Sequence, residues 1–390
     1  MLKKFHVYII LKMHQTYDRE ILHGIASYVR ENQNWEVSIK DGCLGELLVR
    51  ENSNRGIIIN FDIPGSRKFC EDFNDCIVGV GGGGGEYDSN SGVYYVSSDS
   101  KKIGVLAAEN LIGKGLKNFA YCGYEPSFTN RWVKERGDAF CEEIHKAGFT
   151  CSTHFSGTDF NKFSNLHNLK EWLFLQQLPL GIFICNDDYS QALLAACQSL
   201  TLRVPEDVAI IGVGNDIICE FTNPQLSSIE QGCRQIGRQA AHTLQLLMDK
   251  NPPSIYHQNI PPSGITSRQS SDLIYIHDEI VSSALRLIRN GIAKGIQVAN
   301  LMDALNVSRS TIDSRFRKAI GRSADEEIRR CRLETAKLLL AQTSIRLHDV
   351  ALRSGYSTEQ YLSLVFQKNL GCTPKQYRTM QQQRISGKMI

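Results

Sequence analysis

The sequence predicts an α/β domain built on parallel sheets, followed by a smaller domain made only of helices. Over about the first 260 residues, short β-branched and apolar runs alternate with helical patterns. Residues 251–272 are rich in Pro and Ser and interrupt this alternation, and the segments after about residue 275 have helical periodicity. We therefore expect a front domain over residues 1–270 and an all-α domain over residues 275–385.

The strands of the front domain are predicted from nearly continuous apolar runs, which are typical of parallel strands buried on both faces. These runs cover residues 5–11, 36–40, 56–61, 77–81, 94–97, 118–121, 181–185 and 208–213. Helical patterns lie between them, at residues 19–31, 102–111, 131–147, 189–199 and 234–248. This alternation favours right-handed crossovers, and residues 251–272 are interpreted as the last edge of the domain plus a linker.

The charge distribution separates the two predicted domains. Residues 275–390 contain 19 Lys and Arg against 10 Asp and Glu, a net charge of +9, whereas the rest contains 25 against 31, a net charge of −6. A basic end domain is typical of a nucleic-acid-binding protein, although a solvated cationic surface would show the same excess.

The composition argues against a secreted or membrane protein. None of the 12 Cys forms a Cys-x-x-Cys pair, and several lie within apolar runs, as buried thiols in a reducing cytosol do. The apolar run near the start is about seven residues long without a cleavage site, and no run of 18 apolar residues occurs. We expect a cytoplasmic protein with no membrane partner, no metal and no cofactor.

Two segments of the tail, residues 298–318 and 347–368, have the spacing of helix-turn-helix units. In each, a capping hydroxyl residue is followed at steps of four by two apolar residues expected in the core: Ser308, Ile312 and Phe316, then Thr358, Leu362 and Phe366. The turns use Asn306 and Gly355, which tolerate a left-handed backbone. Between the units, Ser323 and Glu326 predict a capping box that opens a helix to about residue 340.

Residues 280–378 resemble the DNA-binding domain of the AraC family of transcription regulators. The most specific motif lies in the second unit: Ala351, Gly355-Tyr356-Ser357, Tyr361, Phe366, Gly371-x-Thr373-Pro374 and Tyr377-Arg378. The resemblance implies two recognition helices that enter successive major grooves on one face of the DNA. It also implies operator or promoter DNA and RNA polymerase as partners.

By that resemblance, side chains of both recognition helices face the bases. They are Arg309, Ser310, Thr311 and Ser314 in the first helix and Thr358, Glu359, Gln360 and Ser363 in the second. Arg309 suits guanine and Gln360 suits adenine, because each can make two hydrogen bonds to that base. Phosphate contacts, which position without specifying, are assigned to Arg317, Lys318 and Lys368. For any one of these residues, a solvated helix position is the alternative.

Polar and aromatic residues gather where predicted strands of the front domain end, which is where open α/β sheets bind ligands. The candidate ligand-binding residues are Tyr17, Asp18, Arg131, Trp132, Arg136, Asn186, Asn215 and Asp216. They suit a sugar, because polar groups pair with hydroxyls and aromatic rings pack on the apolar faces of the sugar. Helix capping is the alternative role, and it is preferred for Asp99 and Asp188.

Residues 4–250 resemble the LacI and periplasmic sugar-binding fold, in which two α/β lobes enclose a cleft. The resemblance is most specific at residues 136–140, 186–187 and 204–215. It implies a homodimer, with Arg136, Asn186 and Asn215 binding sugar hydroxyls. This sequence departs from the family pattern at Gly214, where Asp is usual, so either Asp216 replaces that carboxylate or the ligand differs.

A LacI-like sensor ahead of an AraC-like domain is the arrangement of bacterial xylose-operon activators, which this chain resembles at residues 17–19, 131–136 and 307–310. The resemblance implies a sequence-specific transcription regulator, an activator controlled by xylose or a related monosaccharide in the cleft of the front domain. The alternative is an AraC-type regulator whose front domain only dimerises or binds a non-sugar ligand.

Other function classes find little support in the sequence. Asp187, Asp188 and Asp216 are carboxylates in the predicted site, but no nucleophile motif, metal spacing or phosphate loop accompanies them, so we expect no catalytic residues. Residues 79–84 match Gly-x-Gly-x-x-Gly, yet a loop rather than the helix of a dinucleotide site is predicted to follow. The basic tail disfavours a transport binding protein.

Overall fold

The structure is a computed structural model that describes residues 5–32, 34–42, 44, 55–71, 76–81, 86–87, 92–127, 130–157, 163–272 and 278–385. The chain divides into two compact units, Met1–Ile274 and Tyr275–Ile390. The first is an α/β unit with two 6-stranded sheets, and the described part of the second is helical. The predicted fold class is confirmed.

The first unit consists of two lobes, each built on one sheet. Its strands are β1 (Phe5–Leu11), β2 (Trp35–Asp41), β3 (Arg55–Asn60), β4 (Cys76–Gly81), β5 (Tyr94–Ser98), β6 (Asn118–Tyr124), β7 (Cys151–Ser156), β8 (Leu180–Ile184), β9 (Val208–Val213), β10 (Ser227–Glu230), β11 (His257–Ile260) and β12 (Gly264–Thr266). The first lobe has the parallel order β11-β5-β4-β3-β1-β2. The second has the order β12-β10-β9-β8-β6-β7, parallel except for the edge strand β12.

Helices cover the two sheets. They are α1 (Thr16–Asn32), α2 (Ser66–Glu71), α3 (Ser100–Gly113), α4 (Arg131–Lys146), α5 (Phe163–Phe174), α6 (Ser190–Ser199), α7 (Ile218–Phe221) and α8 (Cys233–Met248). In the first lobe, α1 and α8 pack together and bury an apolar cluster with the sheet that includes Ile9, Ile25, Ile58 and Ile236. In the second lobe, α3 packs on α4 and α5 packs on α6.

Among the described residues, the chain passes between the lobes at three places. These are the connections from β5 to α3, from β10 to α8 and from β11 to β12. Backbone hydrogen bonds of 2.8 Å hold the three segments side by side, from Asp99 N–H to the Ile260 carbonyl and from Ser263 N–H to the Glu230 carbonyl. Three short parallel connections of this kind form a hinge on which two lobes can close.

The eight predicted strands are all present, and most of their ends differ by only one or two residues from the prediction. Four strands were not predicted from the sequence, namely β7, β10, β11 and β12, which are short and mostly polar. The last edge of the domain predicted within residues 251–272 is present, because β11 and β12 there form edge strands of the first and second sheets, and the prediction that these residues also include a linker is wrong. These residues complete both lobes, and the two units divide after Ile274.

The second unit contains seven helices in its described residues. They are α9 (Glu279–Gly291), α10 (Val298–Leu305), α11 (Arg309–Ile320), α12 (Ala324–Gln342), α13 (Leu347–Arg353), α14 (Glu359–Leu370) and α15 (Pro374–Ile385). The pairs α10–α11 and α13–α14 are the two helix-turn-helix units. Asn306 and Gly355 adopt φ of 50° and 77° in the turns, and the predicted capping box of Ser323 and Glu326 opens α12.

Each helix-turn-helix unit has its own apolar core. Ile312 and Phe316 are fully buried in a cluster with Ile328, near the start of α12. Leu362 and Phe366 are fully buried in a second cluster with Leu340, near the end of α12. The long helix α12 is therefore a shared support for both units, and the predicted core residues are confirmed.

Candidate functional sites

Arg136 is buried at the carboxyl end of β8, with only 2% of its surface exposed. Its Nη1 donates to the Cys185 carbonyl at 2.7 Å, and its Nη2 donates to the side-chain oxygen of Gln231, in the hinge segment before α8. The guanidinium carbon lies 4.6 Å from the ring centre of Trp132, a cation–π contact. Burial lowers the pKa of Arg136, because the charged form loses hydration. This predicted ligand residue is thus joined directly to the hinge.

Asp18 and Tyr17, at the start of α1, lie against the strand ends of the first lobe. The fully buried Asp18 carboxylate accepts from the Asn60 amide at 2.8 and 2.9 Å and from Lys12 N–H at 2.6 Å. Burial raises the pKa of Asp18, although these hydrogen bonds oppose the shift. The Tyr17 hydroxyl donates to the Gly81 carbonyl at 2.8 Å. Asp18 therefore fixes the ends of β1 and β3 relative to each other.

Thr16 and Asp216 form a hydrogen bond across the cleft between the lobes. The Thr16 hydroxyl, at the start of α1, donates to the Asp216 carboxylate, which follows β9 in the second lobe. Asp216 is held in turn, because its N–H donates to Asp187 at 2.9 Å and its other carboxylate oxygen accepts from Ile218 N–H at 3.0 Å. Asp216 was predicted from the sequence but Thr16 was not, since no spacing pattern links residues 200 positions apart.

The departure at Gly214 has a structural explanation. Gly214 has a φ of +131°, and a Cβ added there would lie 3.0 Å from Oδ2 of Asp187. The buried Asp187 carboxylate also accepts from the Ser228 hydroxyl at 2.7 Å. Asp187 thus lies against the Cα of residue 214, and the backbone there favours Gly.

Asn215, with a φ of 52°, has its side chain engaged within the second lobe. Its Oδ1 accepts from Nη2 of Arg268 at 2.8 Å, and its Nδ2 donates to Glu230 at 3.3 Å. Arg268 and Glu230 hold the Asn215 side chain in place, and this role was not predicted from the sequence, because Arg268 lies in the segment interpreted as the last edge of the domain plus a linker. The assignment of Asn215 to a sugar stays a prediction.

The capping assignments are half correct. Asp99 caps α3 by accepting from Lys102 N–H at 3.0 Å. Asp188 does not cap α6; instead Asn186 caps the turn before that helix, accepting from Tyr189 N–H at 3.4 Å. Asn186 caps the turn in place of Asp188 because its side chain comes before the turn, towards which the first unbonded N–H groups point. Its Nδ2 donates to Asp188 at 3.2 Å.

The remaining predictions for the first unit concern its periphery. Arg131 is exposed at the start of α4, outside the buried part of the site. Of the Gly-rich segment, Gly81 ends β4, whereas Gly82 to Gly85 lie outside the described residues. In the part of the chain that the structure describes, no group of three or more His, Cys, Asp or Glu side chains is placed to hold a metal ion. None of the described helices is long and apolar enough to cross a membrane.

The first recognition helix, α11, exposes a polar and basic face. Its predicted base-contacting residues Arg309, Ser310 and Ser314 are exposed, and Thr311 is half-buried. The Ser308 hydroxyl caps the helix by accepting from Thr311 N–H at 3.2 Å. Arg317 and Lys318, assigned to phosphates, are exposed on its later turns, where cations can reach a phosphate backbone.

The second recognition helix, α14, exposes a different face. Thr358 caps it by accepting from Tyr361 N–H at 3.2 Å, and the predicted contacts Glu359, Gln360 and Lys368 are exposed, with Ser363 half-buried. Two residues that the sequence analysis missed are Tyr361, 49% exposed, and Leu364, 66% exposed. Leu364 follows Gln360 by four residues and so shares its outward face. That spacing was available in the sequence.

A charge cluster anchors the start of α12. The buried Glu327 carboxylate accepts from Arg322 Nε at 2.5 Å and from Arg330 at 2.7 and 2.9 Å. Burial opposes ionisation of Glu327, but the hydrogen bonds and charges of Arg330 and Arg322 outweigh it and lower its pKa. The cluster fixes the end of α12 that supports the first helix-turn-helix unit.

Family models match both units of the chain. A XylR N-terminal domain matches residues 6–101, a periplasmic binding protein-like domain matches residues 108–271, and a helix-turn-helix domain matches residues 301–380. With the two-lobed sheets and the paired helix-turn-helix units, they define a DNA-binding transcription regulator with a periplasmic-binding-like sensor unit.

Similar proteins narrow this class. The xylose operon regulatory protein of Escherichia coli (strain K12) is 30% identical over 385 residues, which cover 96% of this chain and 97% of that protein. A solved structure of the xylose-binding transcription activator xylR has a TM-score of 0.76 and 29% identity, covering 97% of this chain and 99% of that one. A putative AraC-like transcription regulator of Streptomyces lividans is 31% identical over 137 residues, covering 35% of this chain and 40% of that protein.

The chain belongs to the family of xylose operon regulatory proteins. It is therefore a DNA-binding transcription activator with an AraC-type helix-turn-helix unit, and the resemblance inferred from sequence is confirmed. The full-length relatives are transcription regulators, in agreement with the prediction that the chain is not an enzyme.

Proposed function

We propose that the first unit binds a monosaccharide, xylose or a related sugar, between its two lobes, and that binding controls how the second unit binds operator DNA. The observation that carries this proposal is the placement of Arg136. It lies buried at a strand end, its Nε has no partner, and its Nη2 is bonded to Gln231 in the hinge. A ligand that engages Arg136 would act directly on the hinge. The name of the E. coli relative supports xylose as the first sugar to test.

Closure of the lobes would connect the ligand to DNA binding. A ligand shifts a conformational equilibrium only by its differential affinity for the two states. Groups from both lobes adjoin the cleft: Tyr17 and Asp18 from the first lobe, and Arg136, Asn186 and Asp216 from the second. The Thr16–Asp216 hydrogen bond joins the lobes in this structure and would break if the lobes moved apart. A sugar that bonds to both sides would add to this bridge.

The second unit would carry the response to the promoter. We propose that α11 and α14 contact bases through the exposed residues named above, with Arg317, Lys318 and Lys368 on phosphates. Such regulators commonly act as homodimers on paired half-sites, and an activator contacts RNA polymerase; we extend both expectations to this chain, together with a cytoplasmic location.

The test is thermal unfolding of the full chain with D-xylose, D-ribose and D-glucose and with their sugar acids. A ligand at 100 times its Kd that binds only the folded state stabilises it by about 2.7 kcal/mol. We expect at least one member of the panel to raise the unfolding midpoint. Binding of DNA selected from a random pool should then change when that ligand is added.

The alternative is a first unit that only dimerises or binds a non-sugar ligand. The bonded network of Asp187, Ser228, Asn215 and Arg268 shows that much of the polar lining already has protein partners. An unchanged midpoint with every monosaccharide, together with ligand-independent binding of selected DNA, would favour this alternative.

A further inference from the structure

We propose that the effector is a monosaccharide that carries a carboxylate, such as an aldonate or a uronate, and that this carboxylate pairs with Arg136. The inference rests on the proposed function and specifies the charge of its ligand. Arg136 is 2% exposed, and both of its hydrogen-bond acceptors, the Cys185 carbonyl and the Gln231 amide oxygen, are neutral. Among the described residues no carboxylate lies within ion-pair distance of it, and the neighbouring Glu135 interacts with its charge only at longer range. Since a buried charge is strongly destabilising unless it is paired, the site is incomplete as it stands.

The donors that remain on Arg136 match a carboxylate. A guanidinium has five N–H groups, and two of them are bonded to protein acceptors, which leaves three. One of the three is on Nε, which is buried and has no partner. Nε–H and a second N–H on the same edge form the planar fork that binds both oxygens of a carboxylate.

The carboxylates that adjoin the cleft are committed elsewhere. Asp187 accepts from the Ser228 hydroxyl and from Asp216 N–H, and Asp216 accepts from Thr16 and Ile218. Asp18 accepts from the Asn60 amide and Lys12 N–H. Residue 214, which adjoins Asp187, is Gly and supplies no charge. A shift of any of these carboxylates to Arg136 would leave its present donors unpaired.

A second buried arginine of the same lobe shows the contrast. Arg268, 8% exposed, also donates to a backbone carbonyl and to a side-chain amide, those of Leu226 and Asn215. Unlike Arg136, it has a carboxylate partner, Glu220, at 3.9 Å. Arg268 thus has a counter-ion in the protein and Arg136 does not, whereas an Nε without a partner is common to both arginines.

The charge balance selects a monoanion. A neutral aldose would offer hydroxyl acceptors but would leave the guanidinium without a counter-ion. A phosphate, which carries nearly two charges at neutral pH, would place an unbalanced charge near Asp18 and Asp216. A single carboxylate matches the single positive charge of Arg136, and the sugar hydroxyls would bond to neutral polar groups that adjoin the cleft, such as Asn186.

Calorimetric titration of the full chain with matched ligands tests the proposal. The pairs are D-xylose with D-xylonate and D-glucose with D-gluconate and D-glucuronate, and D-glucose 6-phosphate is the phosphate probe. We expect at least one acid to bind about tenfold or more tightly than its aldose, because hydrogen bonds to charged groups exceed neutral ones by that amount. An aldose that binds as tightly as its acid, or a phosphate that binds best, would overturn the inference and leave the proposed sugar-sensing function intact. Failure of every ligand would overturn both.

Variants separate a ligand role of Arg136 from a structural role. Arg136→Gln should remove the preference for the acid, and its unliganded unfolding midpoint should fall no further than that of Arg268→Gln, because each variant leaves a buried carbonyl and a buried amide oxygen without their donor. Arg136→Lys should keep part of the preference, because it retains the charge without the fork. The matched control Arg268→Gln should lower the midpoint, because it breaks a paired network, and should keep the preference. A preference that survives Arg136→Gln would contradict the proposal.

Discussion

The two helix-turn-helix units have the same frame and different exposed faces. Both recognition helices begin at a capping hydroxyl, bury an apolar residue at steps of four and eight from the cap, and end at a left-handed Gly. At the second and sixth positions after the cap, α11 exposes Ser310 and Ser314, whereas α14 exposes Gln360 and Leu364. These shared features, namely the cap, the two buried residues and the left-handed Gly, are the frame of each unit. Burial and backbone conformation determine the frame, whereas the exposed positions are free to differ. Sequence specificity therefore has to be derived for each unit separately.

The largest effect should come from the frame. Phe316→Ala and Phe366→Ala should each lower the free energy of unfolding by about 3–5 kcal/mol, because both remove a fully buried ring. Denaturant unfolding of the full chain would measure the loss. Leu364→Ala, on the exposed face, is the control and should change stability by less than about 0.5 kcal/mol. A large loss in only one of the two Phe variants would mean that the frames are not equivalent.

The charge cluster around Glu327, which anchors α12 beneath the first helix-turn-helix unit, should make the stability of the protein depend on pH. Glu327→Gln should cost about 1–3 kcal/mol at neutral pH, because it weakens the hydrogen bonds to Arg322 and Arg330. The folded-state pKa of Glu327 is lowered, so its contribution is present above the pKa of an unfolded Glu and is lost as the pH falls through the folded-state value. Unfolding measured from pH 7 to pH 3 should show the wild type and the variant converging. A gap that stays constant would argue against ionisation as the source.

The first helix-turn-helix unit should contribute a specific base contact through Arg309. Arg309→Ala should weaken binding to a selected duplex by about 1–3 kcal/mol and relax the preference at one base pair, if Arg309 pairs with guanine. Fluorescence anisotropy on duplexes substituted at each position would locate that pair. Lys318→Ala is the control and should weaken all duplexes alike while reducing the salt dependence.

The second helix-turn-helix unit should recognise thymine methyl groups through Leu364, because an apolar side chain on the outward face of a recognition helix suits that group. Leu364→Ala should weaken binding by about 0.8 kcal/mol or slightly more for each methylene no longer buried. Replacing thymine by deoxyuridine, which lacks the methyl, should weaken the wild type at one or two positions and leave Leu364→Ala unaffected there. Equal sensitivity of both proteins would remove Leu364 from the interface.

The same contrast between frame and face explains what the sequence could predict. Caps, left-handed residues and apolar periodicity predict the helices of the DNA-binding unit, and strongly apolar runs predict the central strands of the sensor unit. The short edge strands β11 and β12 are polar and pair only after the chain has crossed the hinge, so no local pattern marks them. At the cleft, Arg136 was predicted by resemblance. Its bond to Gln231 and the Thr16–Asp216 bridge depend on how the lobes meet, which the sequence does not display.

The most direct test of the account is a titration of the full chain against a selected duplex, with and without the tightest-binding monosaccharide, for wild type and Arg136→Gln. We expect the ligand to change the DNA affinity of the wild type by about tenfold, within the usual range of coupling between sites. The variant should bind the duplex and lose the response. An affinity that is the same with and without ligand, although both ligand and DNA bind, would contradict the claim that the cleft controls DNA binding.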